Sequence, residues 1–373
     1  IVLLCLAGGL VAGIVLSGFY PAFILSSYQP IKVLKGKLSA TGQGARLRQA
    51  LVIFQFTAAI IFITVTFAVY RQIRYMGEKD LGMDIHQTVC IWGPELTPWD
   101  STFIQRTSSF VNDVENLPNV KNATTSFNLP GDRLGRIFEV QLVPDTIDQH
   151  YTTSKMAIGP KFIENYGIKL LAGRPFIFSD YNPDPEKVHS VIINESTLKL
   201  LGLRKAEDAV GQTLKFYDRT WNIIGVVADF HHHSLKLPIE SIIFQPLQSN
   251  GQFISVKVQS ENLAETVAGI KAKYLSYFPN NNFDYFFLDE RFNKQYANEQ
   301  LFGKVAGSIT ILAISVACLG LFGLVLFTAL QHKKEVGIRR HLGATIQNLL
   351  VMMSKNFINL ILISFVIGLP LSY

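Results

Sequence analysis

Four stretches of this sequence carry no charged side chain: residues 1–27, 50–70, 305–330 and 357–373. A helix crossing the hydrocarbon core of a bilayer needs about 20 such residues. A backbone in lipid must satisfy its own hydrogen bonds, so runs of this kind are confined to helices or closed barrels. The absence of period-two alternation selects helices, and each run is read as a membrane span. Gly8, Gly9, Gly13 and Gly18 in the first run, and Gly307, Gly320 and Gly323 around the third, offer places for close helix approach. The sequence opens on Ile1 inside an apolar run without a charged segment before it. That run is therefore expected to be a span of a longer chain and not a signal peptide.

The charges between the runs set the orientation. Residues 28–49 hold Lys32, Lys35, Lys37, Arg46 and Arg48 and no acid, and residues 331–355 are also basic. By the positive-inside rule both face the cytoplasm. Arg71, Arg74 and Lys79 follow the second run but are offset by Glu78, Asp80 and Asp84. The formal net charge is +6, yet the basic clusters flank apolar runs and are not spread over a soluble face, which argues against a nucleic-acid partner and for a membrane-lipid one. Cys5 and Cys318 lie within the runs and Cys90 stands alone in the soluble part, so neither a disulfide framework nor a metal-binding cysteine pair is expected there.

From about 84 to 298 the apolar runs shorten and turn residues appear. Residues 102–116 place Phe103, Phe110, Val114 and Leu117 on one helical stripe, between strand-like segments at 86–92 and 120–127. The same order returns at 253–259, 262–278 and 284–288, the helix carrying Leu263, Val267, Ile270, Tyr274 and Phe278 and opening on Asn262 as N-cap with Glu265 three residues on. Two such units far apart predict one split βαβ layer with a mostly-β subdomain inserted at about 160–246. In the insert, a strand at 188–194 precedes a short helix capped by Asn194, and 213–217 and 221–228 pair across Asp218-Arg219. The expected fold is α-helical transmembrane segments plus a large α+β extracytoplasmic domain, with residues 289–304 as a stalk helix.

The segment Lys333-Lys334-Glu335-Val336-Gly337-Ile338-Arg339-Arg340-His341-Leu342-Gly343-Ala344 separates the last two spans. Glu335 and Arg339 are four apart with the acid first, Ile338 and Leu342 share that spacing, and Gly343 offers a helix stop. A short amphipathic helix at the membrane face is predicted. The segment resembles the coupling helix of FtsX-like and macrolide-exporter-type ABC transporter permeases, which runs roughly K-x-E-I-G-I-R-K-x-L-G-A. Further resemblance lies in Gln29-Pro30-Ile31-Lys32-Val33-Leu34-Lys35-Gly36, in Ala172-Gly173-Arg174-Pro175-Phe176, in Val191-Ile192-Ile193-Asn194-Glu195 and in Ile224-Gly225-Val226-Val227-Ala228-Asp229-Phe230. The first of these resembles the link between the halves of duplicated permeases and the others the periplasmic core domain.

The resemblance implies a multi-pass protein of the bacterial inner membrane whose Glu335, Val336, Gly337, Ile338, Arg339, Arg340, Leu342 and Gly343 meet a cytoplasmic ABC ATPase. It also implies a homodimer or pseudo-dimer of permease halves, a periplasmic adaptor, and work in drug or peptide efflux or in lipoprotein release. No G-x-x-x-x-G-K-[ST] loop occurs, since Gly36-Lys37 is followed by Leu38 and Gly303-Lys304 by Val305, so ATP hydrolysis is assigned to a separate subunit. Neither catalytic residue, cofactor nor metal is expected. His231-His232-His233 is read as a solvated loop, because neighbours on an extended chain point to opposite faces. The alternative is a membrane-tethered sensor with an extracytoplasmic ligand-binding domain, which requires a cytoplasmic signalling domain.

The orientation is testable by single-cysteine labelling on intact cells. Cysteines placed at 32–48 should resist an impermeant maleimide, while Cys90 should react once the outer domain is unfolded. The reverse pattern would refute the assignment.

Overall fold

The computed structural model describes residues 42–372 apart from 101, 145–148, 183, 248, 250 and 251, together with residues 8, 11 and 15. The run at 1–27 and most of the linker at 28–49 lie outside the described residues. The chain divides into two compact units, Ile1–Val69 with Gly303–Tyr373, and Tyr70–Phe302.

In the first unit the apolar runs at 50–70, 305–330 and 357–373 form long helices. Helix α1 spans Gly42–Glu78, reaching beyond the uncharged run at 50–70 on both sides because the Arg and Gln residues there are good helix formers once nucleation has been met. Among the described residues, three segments are long and apolar enough to cross a membrane: Arg48–Gly77, Leu288–Gln331 and Ile346–Ser372. The last begins well before Phe357, so residues 346–355, read from sequence as part of a loop, belong to its helix. Small and hydroxylated side chains bring these helices together. Thr66 and Thr310 hydroxyls lie 2.8 Å apart, and the Ser364 hydroxyl donates to the Ile53 carbonyl at 3.1 Å. A Cβ at Gly320 would stand 2.2 Å from Gln55 Oε1, and one at Gly368 would stand 3.0 Å from Ile60. Of the three glycines expected to serve close packing around the third run, Gly320 does so; Gly307 and Gly323 have open space around them among the described residues.

The second unit is built on eleven described strands. Strand β1 (Thr88–Trp92), helix α2 (Phe103–Glu115) and β2 (Val120–Ser126) come first. Much later follow β10 (Phe253–Val258), α6 (Leu263–Tyr277) and β11 (Tyr285–Phe287). The strands stand in the order β11-β1-β10-β2, each pair antiparallel. The apolar stripes of α2 and α6 cover one face: Phe110 and Val114 pack with Val267, Ile270, Tyr274 and Phe278 over Val89, Ile91, Ile254 and Val256. Phe110 meets the rings of Tyr274, Tyr277 and Phe278 at 5.6–5.8 Å between centroids, edge to face, the arrangement that the ring quadrupoles favour.

Asn262 does not cap α6 as expected. It sits at φ 51°, left-handed, and its side chain makes no capping bond; its carbonyl instead accepts from the Thr266 hydroxyl. The left-handed turn points the carboxamide away from the helix end, so the Asn262–Glu265 capping box does not form.

Between these units the chain forms β3 (Gly135–Val143), β4 (Tyr151–Ile158), α3 (Phe162–Asn165), β5 (Leu170–Gly173), β6 (Ser190–Asn194), α4 (Glu195–Leu200), α5 (Ala206–Ala209), β7 (Thr213–Phe216), β8 (Arg219–Val227) and β9 (Ile242–Pro246). The pairing runs β4-β3-β7-β8-β6-β9, and β9 pairs in parallel with β4, so the path closes on itself. Closure leaves these strands without the free edge that invites aggregation. The ring takes β3 and β4, which precede the boundary near 160 read from sequence. Their alternation is broken where the register shifts between Ile137 and Val140, around Glu139 at φ 58°. Successive side chains feed different cores: Val191, Ile193 and Ile243 enter one cluster, Ile192, Ile242 and Phe244 another. The β7–β8 turn holds Tyr217 and Asp218 at φ 51° and 54°, the double left-handed turn that suits a two-residue hairpin. Asn194 does cap α4, accepting from the Thr197 N–H at 3.1 Å.

The cluster shared by the ring and the four-stranded sheet also receives helix ends. Met76 of α1, Leu288 and Phe292 of α7 (Leu288–Asn293) and Tyr296 lie in it with Tyr166, Phe230 and Phe244. The Tyr166 hydroxyl donates to Ser255 Oγ at 2.8 Å, and the Tyr296 hydroxyl accepts from the Leu235 N–H at 3.1 Å.

Gly173 holds the β5–β8 pairing close: at φ +76°, its Cβ position is 2.2 Å from the Ile224 carbonyl oxygen. Gly173→Val should destabilise the domain by about 3 kcal/mol, whereas Gly202→Ala, at φ +73° but in open space, should cost about 1 kcal/mol. Thermal unfolding of the purified chain followed by near-UV circular dichroism measures both. Equal losses would mean that the close approach contributes nothing.

Candidate functional site

Helix α8 (Ala297–Gln331) ends just before the short helix α9, Lys333–His341, and α10 (Ile346–Ser372) follows. α9 stops where the sequence offers a glycine. Gly343 lies at φ +91°, its N–H donates to the Arg340 carbonyl at 3.2 Å, and the Ala344 N–H donates to the Arg339 carbonyl at 3.0 Å. That pair of bonds is a Schellman closure, which satisfies carbonyls the helix would otherwise leave unpaired and requires a left-handed residue at this position.

Along α9 the ionic groups are ordered. Glu335 accepts from Arg339 Nη2 at 2.7 Å and lies 2.8 Å from His332 Nδ1. The hydrogen bond to His332, with the charge of Arg339, holds the Glu335 carboxyl below its ordinary range. Arg339 also directs Nη1 at the Met352 sulfur on α10. The two arginines therefore differ. Arg339 is tied back to its own hairpin, while Arg340 is exposed and has no acidic partner among the described side chains. Ile338 and Leu342 are 62% and 81% exposed, so the apolar edge read from the i,i+4 spacing exists and the described chain does not cover it. Val336 is half-buried, and a Cβ at Gly337 would meet nothing within 4 Å. Sequence reasoning missed His332 and Met352 as the partners that fix Glu335 and Arg339. The signal for His332 was present, since it lies three residues before Glu335 on the same face.

The histidine run behaves differently from a solvated loop. His232 is 3% exposed, its Nε2 lies 2.9 Å from the Asp132 carbonyl oxygen, and its Nδ1 has no partner among the described residues. Burial, reinforced by the neighbouring His233, pushes its pKa down to about 3. The reason is the backbone path: the Gly131 N–H donates to the His232 carbonyl at 2.8 Å and turns this one ring inward beside Phe230. Among the described residues no three His, Cys, Asp or Glu side chains converge.

Comparison with known proteins places the geometry in context. The family model for the MacB-like periplasmic core domain matches residues 50–273, and the model for the FtsX-like permease C-terminal region matches residues 307–373. A relative from Aggregatibacter actinomycetemcomitans, the macrolide export ATP-binding/permease protein MacB, is 25% identical over 60% of this chain and 36% of its own length. The protein of the same name from Neisseria gonorrhoeae is 24% identical over 59% of this chain and 35% of its own. The chain thus spans about a third of the length of these curated relatives. Among solved structures, the periplasmic region of MacB from Actinobacillus actinomycetemcomitans aligns with 18% identity over 60% of this chain and 97% of that one, at a TM-score of 0.38. A domain of a permease protein from Porphyromonas gingivalis aligns with 19% identity over 52% and 85%, at a TM-score of 0.34.

His232 sets a pH dependence for the outer domain. Its folded pKa lies below the unfolded value of 6.5, so between these values the unfolded chain binds the extra proton. Stability should therefore be complete above pH 6.5 and fall by up to about 1.4 kcal/mol per unit as pH drops toward 3. His232→Gln should flatten that slope in urea unfolding curves recorded from pH 7.5 to 4.5. An unchanged slope would show that His232 is protonated in the folded chain.

Proposed function

The chain belongs to the family of ABC transporter permeases with a MacB-like periplasmic core domain and an FtsX-like C-terminal region, and we propose that it passes motion from a cytoplasmic ATPase to its extracytoplasmic domain. The observation that carries this reading is the uncovered face of α9. Ile338 and Leu342 present an apolar edge to solvent, the exposed Arg340 guanidinium has no acidic partner among the described residues, and Gly337 leaves room for another backbone. A surface of this composition suits a groove with an apolar floor and carbonyl or carboxylate walls, because the guanidinium fork forms oriented hydrogen bonds in addition to its charge.

On this proposal Glu335, His332 and Arg339 hold α9 in shape and Arg340, Ile338 and Leu342 make the contact. The ATPase is taken to be a separate subunit; the relatives named above are called ATP-binding/permease proteins. The helical character of the connections supports the transmission step. Each of α1 and α8 contributes residues to both units without a break, and a helix is stiff along its axis because every turn is hydrogen-bonded to the next. The expected split βαβ layer is the platform these helices would move, consistent with the strand order β11-β1-β10-β2. The work done outside is drug or peptide efflux or lipoprotein release, and the functional unit is a dimer or pseudo-dimer in the inner membrane that engages a periplasmic adaptor.

Ile338→Asp tests the contact. Ile338 is exposed in this chain, so folding and insertion should be unaffected, while a charge buried without a partner in the docked state should weaken docking by a few kcal/mol. ATPase co-purification and transport should both fall, and Arg340→Ala should lower them in the same direction. Wild-type values for both substitutions would leave α9 as a basic loop without a partner.

A further inference from the structure

A second feature lies within the unit Tyr70–Phe302. A cleft of about 70 Å³ opens between α2, the end of β4 and the turn at Phe178–Asp180. Its rim and walls carry the rings of Trp99, Phe103, Phe178 and Tyr181, with Trp99 and Phe103 5.0 Å apart between centroids. Two of the polar side chains in the same wall stand apart from the rest. Thr107 is 6% and Gln252 4% exposed. Among the described residues, neither Thr107 Oγ1 nor Gln252 Nε2 has a hydrogen-bond partner. An unmade hydrogen bond on a buried group is costly, and buried polar groups in folded proteins are mostly paired. That two such groups fall in one small aromatic-lined cleft is the observation to be explained.

We propose that this cleft is a binding site for a neutral molecule consisting of one aromatic ring and an adjoining amide or carbonyl group. The rings at the rim set the apolar part, since aromatic faces and edges pack a flat ring well, and a volume of about 70 Å³ admits the amide end while the ring lies at the open mouth. The polar part follows from the two unpaired groups: the Gln252 amide donates to a ligand carbonyl, and the Thr107 hydroxyl donates to it or accepts from a ligand N–H. Neither atom is open to bulk water, so the ligand meets them through a rotation of each side chain. That rotation breaks no hydrogen bond made by those two atoms among the described residues. Neutrality follows from charge. Among the described residues Lys161 is the one charged side chain in the wall, and Glu115 already pairs with it, which leaves the cleft without a net field to select an ion. The proposal concerns a ligand of the outer domain and is independent of how α9 engages an ATPase.

Benzamide has the required ring, carbonyl and N–H, and acetamide has the amide without the ring. The full chain, purified in detergent and labelled with 5-fluorotryptophan, gives resonances for Trp92, Trp99 and Trp221, with Trp99 assigned from Trp99→Phe. Benzamide should shift the Trp99 resonance saturably while leaving Trp221 in place, and acetamide should not shift it. Thr107→Val combined with Gln252→Met should raise the benzamide dissociation constant about tenfold, near the loss of two neutral hydrogen bonds. Thr107→Ser, which keeps the hydroxyl, should retain affinity and guards against a folding artefact, as does an unmoved Trp221 signal in each variant. The proposal is overturned by a Trp99 resonance that does not respond to benzamide, by acetamide binding as well, or by a double variant that binds like wild type.

Discussion

The outer unit depends on the burial of helix ends in a core that strands alone would not complete. Met76 from the end of α1 and Leu288, Phe292 and Tyr296 from the approach to α8 occupy the same cluster as Tyr166, Phe230 and Phe244. Protein interiors pack as tightly as organic crystals and have little room for adjustment. These side chains therefore fix the helix ends to the sheet and to the ring at once. Polar bonds add direction: Tyr296 and Gln295 accept from the backbone at Leu235 and Ser234, and Arg291 pairs with Asp132. Arg291 also lies over the rings of Phe253 and Phe286, where a cation is held by the ring faces.

This arrangement explains the division of polar side chains between the two units. In the membrane-length helices, hydroxyls bond backwards to their own helix or across to a neighbour, as Thr310 does with Ala306 and Phe62 and Ser364 does with Leu360 and Ile53. Bonds of this type let small residues draw helices together without introducing charge. In α9 the ionic groups do the opposite. They are exposed, locally paired and worth little as stability, and their effect is to decide which cation is free to reach outward.

The parts of this structure that the sequence made legible are those in which one period governs a whole element. The uncharged runs at 50–70, 305–330 and 357–373 are helices, α2 and α6 bury the stripes that their spacing dictates, and Gly343 ends α9. What stayed hidden was set by long-range context. The strands β3 and β4 have no counterpart in the sequence reading; in β3 the alternation is interrupted because Glu139 sits in a left-handed conformation and shifts the register. Asn262 has the residue type of a cap but the wrong backbone angle to act as one. The burial of His232 follows from a bond to Gly131, 101 positions earlier in the chain, which no local pattern encodes. In the candidate contact surface, the i,i+4 edge of Ile338 and Leu342 was readable. The unequal roles of Arg339 and Arg340 were not, because they depend on Met352 across the hairpin.

The joint between the four-stranded sheet and the closed ring is narrow. β2 meets β4 at one register pair, Ser126 with Ile158, flanked by bonds from Phe127 to Ala157 at 2.9 Å and from Gly159 to Thr125 at 2.7 Å. Elsewhere β4 is held along five consecutive pairs by β9. A ladder resists shear because all its bonds share the load, whereas two bonds at a strand end yield one after the other, as a zip does. Under tension the strand pairing would thus part first at this seam, a weak point set by where a single strand changes neighbours, and the load would pass to the side-chain core that the ring and the sheet share.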